Sequence, residues 1–305
     1  MKNKIRGVVP VLHTPVNSKG NLDFRGLQKL ITFLSKKRIG GLWVLGTGGE
    51  DMNLTFKERL EVVKKVIEFS QFKQELIIGA SFFSMKDTLN FIEKIQGYKF
   101  RAIHIMPYHP LLGYRRLEWY YNKITDYTDK PIWVYTSANW CQNISPTLIK
   151  NLKENPKIVG VKFSTSNTSD MLSVASLADN KFNVLSAIAT TFLSSLCLGV
   201  DGATSSLGGP LPEILIDIYD DFKSKKFNIA LKKQKKLNEF LSKWPKDIKE
   251  DNFLKGAEEK YILSLRNICE KYMTSYYREC NKKESEIIKS LLINYYPNII
   301  KKGRL

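Results

Sequence analysis

Short, almost entirely apolar segments recur along this sequence, and they restrict its fold more than any other feature. They are rich in β-branched residues, and their near-continuous hydrophobicity is typical of parallel strands buried on both faces. The eight segments are Val8–His13, Gly41–Leu45, Leu76–Ala80, Ala102–Ile105, Ile132–Tyr135, Ile158–Val161, Phe182–Leu185 and Gly202–Thr204.

Amphipathic stretches of helical length separate most of these segments, and Thr55 followed by Glu58 matches the capping box that begins a helix. Eight alternating β and α segments favour a closed (β/α)8 TIM barrel over an open doubly wound sheet. The β signal ends near Pro210–Phe222. Residues 226–305 are then expected to form three further helices, with a break at Trp244–Asn252. We therefore predict a barrel catalytic domain over residues 1–225 and a C-terminal helical extension, packed on the barrel, over 226–305.

The charge balance is strongly basic, with 48 Lys and Arg residues against 30 Asp and Glu residues. The basic residues are spread along the chain and mixed with acidic ones, so we interpret them as a solvated surface and expect no nucleic-acid partner. A nucleic-acid binder stays an outside alternative, and salt-dependent DNA binding would reveal it. The apolar run near the N-terminus soon meets Pro10, which is too short for a signal peptide or a membrane span.

The four cysteines show no CxxC spacing, and the sequence has only three histidines. Neither a zinc site nor a disulfide framework is expected from this set, and we predict no metal and no cofactor. Since no export signal is recognised, a reducing cytoplasm is the expected location.

Three polar side chains follow predicted strands, at the end of a barrel where reactive groups lie. Lys162 ends the sixth strand, Tyr135 ends the fifth, and Thr47 follows the second within the glycine-rich loop Gly46–Glu50. Apolar walls around Lys162 would lower its amine pKa and make it a nucleophile for a carbonyl substrate. A lysine at a strand end can also simply extend into solvent.

The other two strand ends also allow a functional and a structural interpretation. The phenol of Tyr135 can donate and accept protons near an imine, although a tyrosine there is more often a packed aromatic residue. Backbone amides of the Gly-Thr-Gly-Gly-Glu loop can hold an anion, or the loop can be a tight turn between strand and helix. His109, beyond the fourth strand, is a loop residue that would cross the same barrel mouth. No GxSxG motif supports serine-hydrolase chemistry.

In order and spacing, these motifs resemble those of the dihydrodipicolinate synthase / N-acetylneuraminate lyase family over nearly the whole chain. The resemblance rests on the GTGGE loop, the strand-end tyrosine and the GVK at Lys162. It extends to the opening GVVPVLHTPVNSKGNLD, the MPYH stretch, the LGVDGATSS segment and KYILSLRNIC near the end.

The resemblance implies that Lys162 forms an imine with pyruvate or a related 2-oxo acid while Tyr135 transfers protons. The amides of Thr47 and Gly48 and the Thr47 hydroxyl would hold the substrate, and Ala203 is a further candidate contact. The resemblance also implies a homodimer or homotetramer, in which Tyr108 or His109 reaches across the tight dimer.

Several positions depart from the family pattern. Gly48 lacks the second hydroxyl of the usual GTTGE or GSTGE loop, and His109 stands where the synthases have a relay tyrosine. Trp140, in YTSANW, stands where the synthases present an arginine to an acidic aldehyde. The segment after the seventh strand reads SAIAT, without the Gly-Asp or Gly-Tyr-Asp of the namesakes. These departures keep the imine chemistry and change the expected substrate.

The leading hypothesis is a lyase or aldolase that forms or breaks a C–C bond next to an imine-bound 2-oxo acid. The 2-oxo acid is pyruvate or part of a 2-keto-3-deoxy sugar acid, and an aldehyde is the second substrate. One alternative is a genuine 4-hydroxy-tetrahydrodipicolinate synthase that tolerates altered substrate contacts. Another is a homologue that binds an oxo acid or a partner protein without turnover. Borohydride trapping separates imine-forming proteins from inert ones, and a panel of aldehydes separates the two enzymes.

Overall fold

Each of the eight predicted apolar segments overlaps a strand in the computed structural model, which describes residues 4–71, 73–137, 141, 144–252, 254 and 256–301. The strands are β1 (Gly7–Val8), β2 (Leu42–Val44), β3 (Leu76–Gly79), β4 (Ala102–Ile105), β5 (Ile132–Ser137), β6 (Ile158–Ser164), β7 (Asn183–Ser186) and β8 (Gly202–Ala203). All are parallel, and their order in the sheet is β1-β8-β7-β6-β5-β4-β3-β2.

The two ends of this sheet are joined by backbone hydrogen bonds. Gly40 N donates to Val8 O at 2.8 Å, and Trp43 N donates to Pro10 O at 2.9 Å. Pro10 has no N–H to donate to the ladder, which accounts for the short β1. The sheet therefore closes on itself, and the predicted (β/α)8 barrel is confirmed.

A helix follows every strand along the chain. The eight are α1 (Phe24–Ser35), α2 (Phe56–Ser70), α3 (Met85–Ile95), α4 (Tyr114–Tyr127), α5 (Pro146–Lys153), α6 (Thr168–Ala175), α7 (Phe192–Cys197) and α8 (Pro212–Lys223). The capping box predicted at Thr55 is confirmed, because the Thr55 hydroxyl accepts from Glu58 N and Thr55 N donates to the Glu58 carboxylate.

The C-terminal region contains five helices among its described residues, and the prediction of three was wrong. They are α9 (Phe227–Ser242), α10 (Asp247–Asn252), α11 (Gly256–Leu265), α12 (Lys282–Tyr295) and α13 (Pro297–Lys301). The stretch predicted as a break contains the short α10, whose first turn carries Asp247 and Glu250, where acidic side chains stabilise a helix. No helix in the described parts of the chain is both long and apolar enough to span a membrane.

The chain divides into two compact units that alternate along the sequence. The first, made of Met1–Pro10, Ile39–Val44 and Phe72–Ser205, contains all eight strands and α3 to α7. The second, made of Val11–Arg38, Leu45–Gln71 and Ser206–Leu305, contains α1, α2 and α8 to α13. The division predicted at residue 225 stays a prediction.

Candidate active site

Lys162 and Tyr135 are direct partners in the pairing of β5 with β6. Because neighbouring positions in a parallel sheet point their side chains to the same face, this register brings the two together. The Lys162 amine lies 4.1 Å from the centre of the Tyr135 ring, and each residue is only 4% exposed. The two residues predicted to perform the chemistry are thus in contact and almost fully buried.

A glycine two residues before Lys162 makes room for a tryptophan. A Cβ atom on Gly160 would lie 3.0 Å from Cδ2 and Cε3 of the Trp133 indole and 2.9 Å from the Asn183 carbonyl oxygen. Trp133 is fully buried on β5. The glycine of the GVK motif is therefore needed for packing next to the lysine.

The aromatic cluster, as we call it, consists of four side chains in contact: Trp43, His104, Trp133 and Tyr135. The Trp43 ring centre lies 5.3 Å from the Lys162 amine, 5.7 Å from the Tyr135 ring and 5.9 Å from the Trp133 ring. His104 stacks on Trp43, with ring centres 4.2 Å apart and planes 16° from parallel. The sequence analysis missed both residues, although His104 is the one polar residue in the otherwise apolar β4.

His104 is held as a neutral imidazole. Its Nε2 lies 2.9 Å from the Val44 carbonyl oxygen. Burial is the main cause that lowers the pKa of His104 from 6.5 to about 3, the hydrogen bond to Val44 opposes this change, and the charge of Lys162 adds to it. At neutral pH the imidazole therefore adds no positive charge beside the lysine amine.

The chain leaves β2 through a strained residue and enters the glycine-rich loop. Leu45 is buried and has a φ of 54°, in the left-handed region that costs an L-residue about 1–2 kcal/mol. Thr47–Gly49 then form one 3₁₀ turn, in which Thr47 is buried. The loop predicted to bind an anion thus has a defined, compact backbone.

Gly48 is required by close packing in the second unit. A Cβ atom there would lie 2.7 Å from Cβ of Ser206 and 3.5 Å from Cγ1 of Val11. The missing side chain, interpreted from the sequence as a lost hydroxyl, leaves space that Ser206 fills. The Ser206 hydroxyl donates to Glu259 at 2.8 Å, and His13 Nε2 lies 3.0 Å from the other Glu259 oxygen.

The glutamate of the GTGGE motif has a structural role that the sequence analysis did not identify. Glu50 pairs with Lys260 at 2.6 Å and accepts hydrogen bonds from the amide and hydroxyl of Thr274 at 2.8 and 2.7 Å. Lys260 also donates to the Tyr272 carbonyl at 2.9 Å. Two of the quoted motifs, GTGGE and KYILSL, are therefore joined by a buried ion pair.

The remaining predicted site residues lie on other elements or outside the described residues. His109 is half-buried, its ring centre lies 4.9 Å from that of Phe83, and its Nδ1 accepts from Leu111 N at 3.3 Å. Ala203 is buried on β8, in register with Val8 and Ser186. Trp140 lies outside the described residues.

The described residues contain no group of three or more His, Cys, Asp or Glu side chains arranged to hold a metal ion. The groups that can take part in a reaction here are the buried Lys162 amine and the Tyr135 side chain beside it.

Comparison with known protein families agrees with this arrangement. A model of the dihydrodipicolinate synthetase family matches residues 4–301 of the 305. The chain belongs to this family. The predicted family and the predicted class of enzyme, an aldolase-type lyase, are both confirmed.

Relatives within the dihydrodipicolinate synthetase family differ in the reactions that their names describe. The 4-hydroxy-tetrahydrodipicolinate synthase of Karelsulcia muelleri (strain GWSS) is 28% identical over 99% of this chain and 99% of its own length. The probable 2-dehydro-3-deoxy-D-pentonate aldolase YjhH of Escherichia coli (strain K12) is 25% identical over 77% of this chain and 80% of its own.

Solved structures of the family share the fold. The dihydrodipicolinate synthase from Bacteroides thetaiotaomicron superposes with a TM-score of 0.87 at 25% identity, covering 96% of this chain and 100% of that one. The family thus includes both synthases and sugar-acid aldolases, and membership alone does not choose between them.

Proposed function

We propose that this protein is a Schiff-base-forming aldolase that acts on pyruvate or on a 2-keto-3-deoxy sugar acid through Lys162. The observation that carries the proposal is the burial of the Lys162 amine 4.1 Å from the Tyr135 ring centre, at paired positions of β5 and β6. A buried amine is less stable in its charged form, which favours the neutral nucleophile.

In the proposed reaction the Lys162 amine attacks the C2 carbonyl carbon of the 2-oxo acid, and water leaves as the imine forms. During this dehydration Tyr135 donates its phenol proton to the departing C2 hydroxyl. The resulting phenolate takes the proton from the C4 hydroxyl, the C3–C4 bond breaks, and an aldehyde departs. The electron pair of that bond enters the imine to give an enamine. Tyr135 then delivers the proton to C3, and hydrolysis of the imine releases pyruvate and restores the lysine.

The remaining substrate contacts are proposed from the family resemblance. The amides of Thr47 and Gly48 and the Thr47 hydroxyl would hold the substrate carboxylate, as backbone amides in a glycine-rich turn do for anions. His109, Trp140 and Ala203 would contact the rest of the substrate.

Trapping with borohydride tests the nucleophile directly. Incubation with pyruvate and borohydride should add one covalent adduct per chain, seen by intact-protein mass spectrometry. Lys162→Ala and Lys162→Arg should abolish the adduct. Lys181→Ala, which removes an exposed lysine, is the matched control and should keep it. An adduct that persists in both Lys162 variants would assign the imine to another lysine.

The second candidate function is 4-hydroxy-tetrahydrodipicolinate synthase, which the full-length similarity to a synthase supports. We favour the aldolase because Trp140 has one N–H and no charge to offer an acidic aldehyde. Losing a charge-assisted hydrogen bond to a carboxylate costs about 1.5–3 kcal/mol, or roughly ten- to a hundredfold in rate.

Two activity measurements separate the enzymes: pyruvate release from a panel of 2-keto-3-deoxy acids, and condensation of pyruvate with aspartate semialdehyde. A synthase kcat/KM of roughly 10⁴ M⁻¹s⁻¹ or above would contradict the aldolase proposal. A protein that binds pyruvate but is active in neither assay would be a non-catalytic homologue.

We also propose a homodimer or homotetramer in the cytoplasm. The oligomer rests on the family resemblance, and light scattering that gives a monomer at micromolar concentration would contradict it. The location is supported by the four cysteines, Cys141, Cys197, Cys269 and Cys280, which are all free thiols, as is usual in a reducing compartment.

A further inference from the structure

We propose that His104 is a positioning residue of the lysine site, which fixes the Trp43 ring next to Lys162 and the orientation of the Val44 carbonyl group on β2. This role rests on the proposed imine chemistry at Lys162 and deepens it. His104 lies on β4, two strands away from β2, and it contacts β2 through both its ring face and its Nε2 atom.

His104 reaches β2 because the intervening strand has no side chain at the crossing point. Its register partner on β3 is Gly79. The imidazole can therefore extend past β3, stack on Trp43 and approach the Val44 oxygen to 2.9 Å. A larger residue at position 79 would occupy the space beside the ring.

Both aromatic rings that flank the lysine amine are in contact with this imidazole. His104 stacks on Trp43 at 4.2 Å and meets Tyr135 edge-on, with ring centres 5.8 Å apart. The same two rings lie 5.3 and 4.1 Å from the Lys162 amine. A change in the position of His104 would therefore alter the immediate surroundings of the nucleophile.

The hydrogen bond of His104 also fixes the turn into the glycine-rich loop. Val44 O belongs to the peptide that leads into Leu45, whose φ is 54°. Strained backbone of this kind persists only where surrounding contacts hold it. The hydrogen bond from His104 keeps the Val44 carbonyl in the orientation that the strained turn at Leu45 requires. The residues of the glycine-rich loop, Gly46–Glu50, come next in the sequence.

The protonation of the ring suits this role. A carbonyl oxygen only accepts hydrogen bonds, so Nε2 must carry the proton. Nδ1 is buried and has no hydrogen-bond partner among the described residues, so it is the unprotonated nitrogen. The low pKa of His104, about 3, keeps this tautomer uncharged next to Lys162 at the pH values at which an amine can form an imine.

Two substitutions separate the donor from the ring. His104→Gln places an amide N–H close to the position of Nε2 without the ring, and His104→Phe keeps a stacking ring without the donor. Imine formation from pyruvate is measured in single turnovers by borohydride quenching, which gives a limiting rate and a half-saturating concentration. Circular dichroism and thermal unfolding report the folded fraction.

For His104→Phe we expect the ratio of limiting rate to half-saturating concentration to fall by roughly tenfold or more per folded molecule, since small misplacements at a reacting centre have effects of this size. For His104→Gln we expect partial rescue, to within roughly threefold of wild type. A folded His104→Phe protein with the wild-type ratio would overturn the proposal, and so would a folded His104→Gln protein that is no better than His104→Phe.

A measurement on the wild-type protein covers the case in which His104→Phe does not fold. With only three histidines in the chain, the imidazole N–H resonance of His104 can be assigned by its loss in His104→Gln. Reductive trapping of pyruvate should shift this resonance, and an unchanged resonance would overturn the proposal. If the wild-type protein traps no pyruvate, the proposed function fails and this role fails with it, whereas normal trapping with unaffected variants contradicts His104 alone.

Discussion

Two buried lysines of this chain have opposite surroundings. Lys260, at 0% exposed, is bound to the Glu50 carboxylate at 2.6 Å and to the Tyr272 carbonyl at 2.9 Å. Lys162, at 4% exposed, lies over the rings of Tyr135 and Trp43. The Glu50 carboxylate holds Lys260 in a buried ion pair, while the Lys162 amine lies among the aromatic rings at the predicted reaction site. The comparison shows why burial alone does not identify a nucleophilic lysine.

Substituting each lysine by methionine is the strongest test of whether the two buried lysines differ in their contribution to stability. Lys260→Met leaves the Glu50 charge buried without its cation, which should cost about 3–5 kcal/mol of unfolding free energy. Lys162→Met removes the contacts of the amine with the Tyr135 and Trp43 rings but also removes the cost of burying a polar group, so its loss should stay below about 2 kcal/mol. Urea unfolding at pH 7 measures both, with the exposed Lys181→Met as control. Equal losses for the two buried lysines would show that their surroundings are equivalent.

The next largest effect is expected on turnover, when the phenol oxygen of Tyr135 is removed. Tyr135→Phe keeps the ring over the amine and removes the phenol oxygen, so imine formation should persist in part. Turnover should fall by roughly 10²-fold, the scale expected for losing a positioned proton-transfer group. Steady-state pyruvate release measures it, and Tyr127→Phe, on the exposed face of α4, is the control. Wild-type turnover in Tyr135→Phe would remove this residue from the mechanism.

The neutral imidazole of His104 beside Lys162 predicts how the stability of the protein depends on pH. The folded pKa of His104, about 3, lies below its unfolded value of 6.5, so the unfolded chain binds the extra proton first as the pH falls. Stability contributed by the neutral ring is complete above pH 6.5 and is lost progressively toward pH 3. Between pH 6.5 and 5 the wild-type protein should lose about 2 kcal/mol more than His104→Gln. Parallel urea titrations that give equal losses would mean that the ring is not held neutral.

The smallest expected effect is the coupling energy between Gly48 of the glycine-rich loop and Ser206. Gly48→Ala places a Cβ against Ser206 and should cost about 1–3 kcal/mol of unfolding free energy, as overpacking does. Ser206→Gly in the same chain removes the clashing atom, and a double-mutant cycle should recover at least about 0.5 kcal/mol. Additive losses in thermal unfolding would mean that Ser206 is not what requires the glycine.

The sequence predicted the barrel because a repeated apolar pattern is a local property that each segment carries by itself. It also predicted Lys162 and Tyr135, since the ends of strands can be recognised from the same pattern. Their mutual contact depends on the register of β5 and β6, which no local pattern encodes.

The contacts that could not be predicted join distant segments. Trp43 on β2 and His104 on β4 stack on each other across β3. Glu50 forms an ion pair with Lys260, which lies about two hundred residues later in the sequence. Gly48 was interpreted as a change in substrate binding, but the structure gives it a packing reason in Ser206. In the C-terminal region α10 lies within the stretch that was predicted as a break. A helix of six residues is too short for its apolar residues to show the helical period in the sequence.

The pairing of β1 with β8 has a consequence for how the protein is made. Gly7 pairs with Gly202, so the first strand leaves the ribosome long before its partner exists. At common elongation rates the wait is roughly 10–40 s. During that time β1 has no β8 to pair with, and an unpaired strand edge is a template for association with other chains. We expect the barrel to close only after β8 has been synthesised.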